Sequence, residues 1–131
     1  MKGLKFIFGC LFALVLINCP VEDSTSTTEI EVINESSYGL HIEFEDIFSR
    51  NWFEEINVKK GESFTFFISD IGGKDGVKPR NPNNEVGKII FINSETNEII
   101  KEIINNNLFE LIKSLDDYEH YKLYVNDILL L

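Results

Sequence analysis

Few side chains in this chain are of types that do chemistry. Its 131 residues include two histidines, His41 and His120, and two cysteines, Cys10 and Cys19. An imidazole can act as a base or a metal ligand, and a thiol as a nucleophile, a ligand or an acylation point. For catalysis these groups need partners. No serine stands in a Gly-x-Ser-x-Gly turn, and no Cys/His spacing fits a zinc site. His41 falls on the polar phase of a strand pattern, and His120 lies among Tyr118, Glu119 and Tyr121 at the start of another. Both read as solvated strand histidines. Glu43, Glu45 and Asp46 offer oxygens to calcium, but Glu43 and Glu45 share one strand face and splay along it. The loop Asp70-Ile71-Gly72-Gly73-Lys74-Asp75-Gly76 lacks the alternating acids of an EF-hand and sets Lys74 between its carboxylates. It also lacks the Gly-Lys-Ser/Thr of a phosphate cradle. The expectation is a protein that is not an enzyme and takes no cofactor and no metal.

Cys19 is different, because of what precedes it. Met1 to Lys5 is short and basic, Phe6–Ile17 is an uncharged run of 12 residues, and Pro20–Thr28 is polar and rich in Ser and Thr. Twelve residues at about 1.5 Å each do not cross a hydrocarbon core of about 30 Å. They match the apolar region of a secretory signal instead. The residues Leu16-Ile17-Asn18-Cys19 resemble the lipobox of bacterial lipoproteins, an aliphatic residue three before an obligatory cysteine. That family usually has Gly, Ala or Ser just before the cysteine. Asn18 is a departure similar to the looser lipoboxes of spirochaetes. The resemblance implies that Cys19 receives a diacylglyceryl group and that the chain is cut before it. It further implies a signal over 1–18, a lipidated cysteine and flexible spacer over 19–28, and a domain over 29–131. Cys10 would leave with the signal, so no disulfide would form. The expected location is a bacterial cell envelope, periplasmic or surface-exposed, with acyl chains as the membrane anchor.

Charge narrows the partners. Lys2 and Lys5 precede Cys19, which leaves ten cationic residues against 22 acidic ones, a net of −12, in the remainder. Such a domain is not expected to bind nucleic acid, where cations must displace counterions. Nor should it adhere electrostatically to an anionic lipid surface.

The elements that position these residues are strands. Ile30 and Val32 alternate with Glu29 and Glu31, and Leu40, Ile42 and Phe44 alternate with His41, Glu43 and Glu45. Ile56 and Val58 lead through the turn Lys59-Lys60-Gly61-Glu62 to Phe64, Phe66 and Ile68. Residues 69–86, with their glycines and prolines, read as an irregular insert. Ile89–Ile92 and Ile99–Ile104 flank the turn Asn93–Asn97 as a hairpin. Leu108, Leu111, Ile112 and Leu115 fall at helical spacing behind Asn107, a cap. Tyr121, Leu123 and Val125 form a closing strand. The expected fold is all-β: an antiparallel β-sandwich of six to seven strands with one short helix near residues 107–115. In outline this looks like the small immunoglobulin-like or transthyretin-like modules of bacterial surface lipoproteins.

Two stretches suggest contact surfaces. Phe48, Arg50, Trp52 and Phe53 crowd a link between strands and are of types enriched at binding hot spots. Unless they plug an open end of the core, they would meet a protein or a glycan. Lys74, Lys78, Arg80 and Lys88 make a locally positive loop on an acidic body, either a contact for an anionic partner or a balance for acidic neighbours. The expected role is a monomeric, non-enzymatic binding module. The alternatives are an accessory subunit of an envelope complex that pairs through a strand edge, and an inhibitor of an envelope hydrolase.

Overall fold

The computed structural model describes residues 24–46, 55–72 and 77–131. Eight strands form two four-stranded sheets packed as a sandwich. They are β1 (Ser24–Asn34), β2 (Leu40–Asp46), β3 (Glu55–Val58), β4 (Ser63–Gly72), β5 (Val86–Asn93), β6 (Ile99–Ile104), β7 (Glu110–Ser114) and β8 (Tyr118–Val125). One short helix, α1 (Pro82–Glu85), precedes β5. The sheet orders are β4-β1-β8-β7 and β3-β2-β5-β6. Ile30, Val32, Leu40, Ile42, Ile89, Phe91, Leu123 and Val125 face inward at 1% exposure or less and fill the space between the sheets.

Three features differ from the sequence expectation. First, the sandwich is antiparallel except at its centre, where β1 and β8 pair in parallel from Thr27↔Tyr118 to Asn34↔Val125. A parallel pair needs a long crossover, and the six strands between them supply it.

Second, the segment expected as a helix near 107–115 is strand β7. Asn107 sits at φ 55, in the left-handed region. Leu108 N–H donates to Asn105 Oδ1, and Phe109 N–H donates to Asn83 Oδ1 while its carbonyl accepts from Asn83 Nδ2. These backbone groups are committed to side chains before a helical turn can form. The buried anchor is Phe109, off the presumed helical stripe, whereas Leu111, Ile112 and Leu115 are exposed. A bulge between Leu111 and Lys113 imitates helical spacing in the sequence. Among the described residues the helix is α1, which carries a different signature: Asn81 caps it by accepting from Asn83 N–H, and Pro82 opens its first turn.

Third, residues 24–28, expected as spacer, are the first half of β1. Ser26 and Thr28 point inward at 1% exposure, where their hydroxyls donate to the carbonyls of Lys78 and Arg80. A backbone rather than an apolar side chain covers this end of β1, so hydroxyls suit the inner face.

At the opposite end of β1, the loops tie to one another. Asp127 accepts from Ser37 N–H at 2.7 Å and from Ser37 Oγ at 2.5 Å. The hydroxyl, then the amide, hold its carboxyl below the ordinary 3.8, with Lys60 adding to the effect. A depressed carboxylate contributes stability above its unfolded pKa and loses it as pH falls through the folded one. Asp127→Asn should therefore melt below wild type near neutral pH, and the gap should narrow as pH falls below the ordinary carboxyl value of 3.8 and through the lower folded one. Equal gaps in the two melting series would contradict this tie.

Candidate functional site

Of the residues singled out in the sequence, Cys19, Phe48, Arg50, Trp52, Phe53 and Lys74 lie outside the described residues. The three described cations of the basic loop are placed differently from one another. Arg80 makes a two-pronged pair with Asp70, Nε–Oδ2 2.6 Å and Nη2–Oδ1 2.9 Å, and lies 3.8 Å from Glu85. With the Thr28 hydroxyl on its carbonyl, it fastens the 77–81 segment between β1 and β4. Lys88 lies 3.4 Å from Glu45 and 3.9 Å from Glu102 on the outer face of the second sheet. These two cations match the balancing role. Lys78 is exposed and borders a 220 Å³ depression together with Ser114, Leu115, Asp116 and Glu119.

The structure adds an arrangement that alternation alone could not show: each histidine is flanked by two carboxylates from its own sheet. On β2 and β3, antiparallel register sets His41 opposite Asn57 and Glu43 opposite Glu55. Strand alternation turns all four outward. His41 Nε2 lies 3.0 Å from Glu55 Oε2 and 3.6 Å from Glu43 Oε1. Its Nδ1 lies 2.9 Å from Asn57 Oδ1 on the other side of the ring. The Asn57 hydrogen bond raises the His41 pKa above its ordinary 6.5, partial burial pulls it down, and the charges of Glu55 and Glu43 add to the rise. One ring nitrogen therefore faces both anions, and the other is held by an amide oxygen.

The second cluster lies on the outer face of the other sheet, where β1 and β8 run side by side. His120 is in register with Glu29, and Lys122 with Glu31. The two ring nitrogens diverge: Nδ1 lies 3.3 Å from Glu29 and Nε2 3.5 Å from Glu31. Tyr118 donates to Glu29 at 2.5 Å, and Lys122 lies 3.7 Å from Glu31. This is an ion-pair ladder in which each acid has its own donor or cation. Register is the signal that sequence reasoning lacked for both clusters: it sets which residues of neighbouring β2 and β3 stand opposite each other, and it brings β1 beside β8 from the other end of the chain.

No family model, no curated protein and no solved structure matches the chain.

Proposed function

We propose that the chain is a lipid-anchored protein of a bacterial cell envelope, with Cys19 as the anchor point and the sandwich as a non-enzymatic binding module. The observation that carries this reading is the Leu16-Ile17-Asn18-Cys19 motif behind a short basic segment and a 12-residue uncharged run; β1 begins soon after, at Ser24. Five residue steps reach at most about 18 Å, so the domain would sit against the membrane. The Ser24 end, with Arg80 and α1, would then face lipid, and the loops around Asn34 and Asp127 would face outward to a protein or glycan partner. The likeness to small immunoglobulin-like or transthyretin-like lipoprotein modules belongs to the same reading.

A second reading, an accessory subunit that pairs through a strand edge, draws support from β6. It is an edge strand whose Ile99 and Ile104 are 59% and 77% exposed. Exposed apolar edges invite strand addition.

The intact mass of the protein, made from its own N-terminus in a lipoprotein-processing bacterium, tests the anchor. The expected species is residues 19–131 plus a diacylglyceryl group, lost in Cys19→Ala. A full-length, unmodified mass would remove the basis for the envelope reading.

A further inference from the structure

We propose that His41, Glu43 and Glu55, with Asn57 orienting the imidazole, bind one divalent transition-metal cation of the zinc type on the outer face of β2 and β3. The proposal is independent of the lipid anchor and rests on four observations.

The first is convergence. One ligand atom from each of His41, Glu43 and Glu55 lies within 4.8 Å of the other two. Ligands held at about 2.0–2.2 Å from a tetrahedral zinc stand about 3.3–3.5 Å apart. The distances from His41 Nε2 to the two carboxylates, 3.0 and 3.6 Å, bracket that edge. The remaining edge, between the two carboxylates, lies within 4.8 Å, and the partly exposed Glu43 and exposed Glu55 side chains can rotate to close it around a cation.

The second is the tautomer. A metal-ligating histidine typically donates its other ring N–H to a fixed acceptor, which sets the tautomer and orients the ring. Asn57 Oδ1, 2.9 Å from Nδ1, is such an acceptor. With the proton on Nδ1, Nε2 faces two anions and is held either by a second ring proton, which the raised pKa favours, or by a metal cation that takes that proton's place.

The third is register. Glu43 and Glu55 stand directly opposite each other across the pair, a like-charge juxtaposition that costs stability on its own. On the β5 side, His41 and Glu43 face Ile92 and Ile90. Lys88 stands opposite Glu45 and pairs there and with Glu102. A divalent ion neutralises two carboxylates.

The fourth is the contrast with His120. Its two nitrogens point to different acids, Nδ1 toward Glu29 at 3.3 Å and Nε2 toward Glu31 at 3.5 Å without a hydrogen bond, and Lys122 lies beside Glu31, so its carboxylates do not converge on a single nitrogen. Of the two clusters, only the His41 cluster has the shape of a coordination site. One imidazole and two carboxylates select zinc-type ions over calcium or magnesium, which prefer all-oxygen shells. Three protein ligands leave a fourth corner for water or for a donor from a binding partner.

Zinc chloride titrated into the full chain in detergent, followed by calorimetry and by imidazole nitrogen NMR, tests the proposal. The expected result is one saturable equivalent in the micromolar range that shifts His41 Nε2 and leaves His120 unmoved. His41→Ala and the isosteric Glu55→Gln should each weaken binding at least tenfold. Asn57→Ala should weaken it about 10–100-fold, and His120→Ala should leave it unchanged. Circular dichroism of each variant confirms that the sandwich is retained. Equal zinc affinity in folded His41→Ala, perturbation of His120 instead, displacement by equimolar calcium, or no saturable binding would each overturn the site.

Discussion

Replacing Asn34 with alanine should cost the domain about 2–4 kcal/mol. Asn34 is fully buried at the end of β1. Its Nδ2 donates to Tyr38 O at 2.8 Å and to Val58 O at 3.0 Å. Its Oδ1 accepts from Ser36 N–H at 3.0 Å and Ser36 Oγ at 2.6 Å. The side chain thus uses both donors and both acceptor positions that an amide has, joining the β1–β2 link to the end of β3. Alanine keeps the backbone bonds, Asn34 N–H to Glu62 O and Gly61 N–H to Asn34 O. It leaves the Val58 carbonyl and the Ser36 amide, both on buried residues, without these partners. Each stranded buried group costs about 1–3 kcal/mol, and entering water recovers part of the sum.

Asn34→Asp sharpens the test. Aspartate has nearly the same shape and still accepts from Ser36, but it presents an oxygen to two carbonyls and buries a charge. At neutral pH it should be at least as damaging as alanine, with partial recovery in acid, where the protonated carboxyl donates once. Urea denaturation of the three proteins measures this. A loss below about 0.5 kcal/mol for alanine, the size of an ordinary surface change, would show that the hub does not hold the loops.

What the sequence revealed about the fold depended on whether a signal was local. Strands with a clean two-residue alternation, such as Leu40 to Glu45, and turns with a demanding residue, such as Gly61 at φ 78, were legible because one strand or one turn carries the information. Ser26 and Thr28 were not, since a buried hydroxyl looks like a spacer until the carbonyls of Lys78 and Arg80 are known. The 108–115 stripe misled because a strand bulge and a helix can share a spacing. For the site, His41 was correctly placed on an outward face, and Glu43 and Glu45 do lie along one face of β2. The carboxylate that turns toward His41, Glu55, comes from another strand, and only the register His41↔Asn57, Glu43↔Glu55 brings it there. Sequence alternation assigns a face; it does not assign neighbours.

The same distinction governs the largest expected stability effect, at Phe91. The run Ile89-Ile90-Phe91-Ile92 is apolar throughout, so composition cannot say which two of its side chains are core. Register settles it: Phe91 pairs with Ile42 and Ile89 with Phe44, all inward, while Ile90 and Ile92 lie on the other face beside Glu43 and His41. There neighbouring side chains cover Ile90 to 8% exposure without making it part of the inter-sheet cluster. Phe91 is at 0% exposure in the strand between β2 and β6. Removing its ring leaves a cavity that flanking strands, fixed by their ladders, can close only in part. Phe91→Ala should therefore cost about 3–5 kcal/mol. For a domain of this size, that lowers the melting temperature by roughly 4–8 °C per kcal/mol, enough to leave much of the population unfolded near 37 °C where total stability stands at the low end, about 5 kcal/mol, of the ordinary range. Ile104→Ala, on the exposed end of β6, removes a comparable apolar group and should cost less than about 0.5 kcal/mol. Paired urea melts of the two variants separate burial from hydrophobicity. If Ile104→Ala were the more damaging, the sheets would pack with the opposite faces inward, and the outward placement of His41, Glu43 and Glu55 would fail with them, because one residue of register slip turns every side chain to the other face.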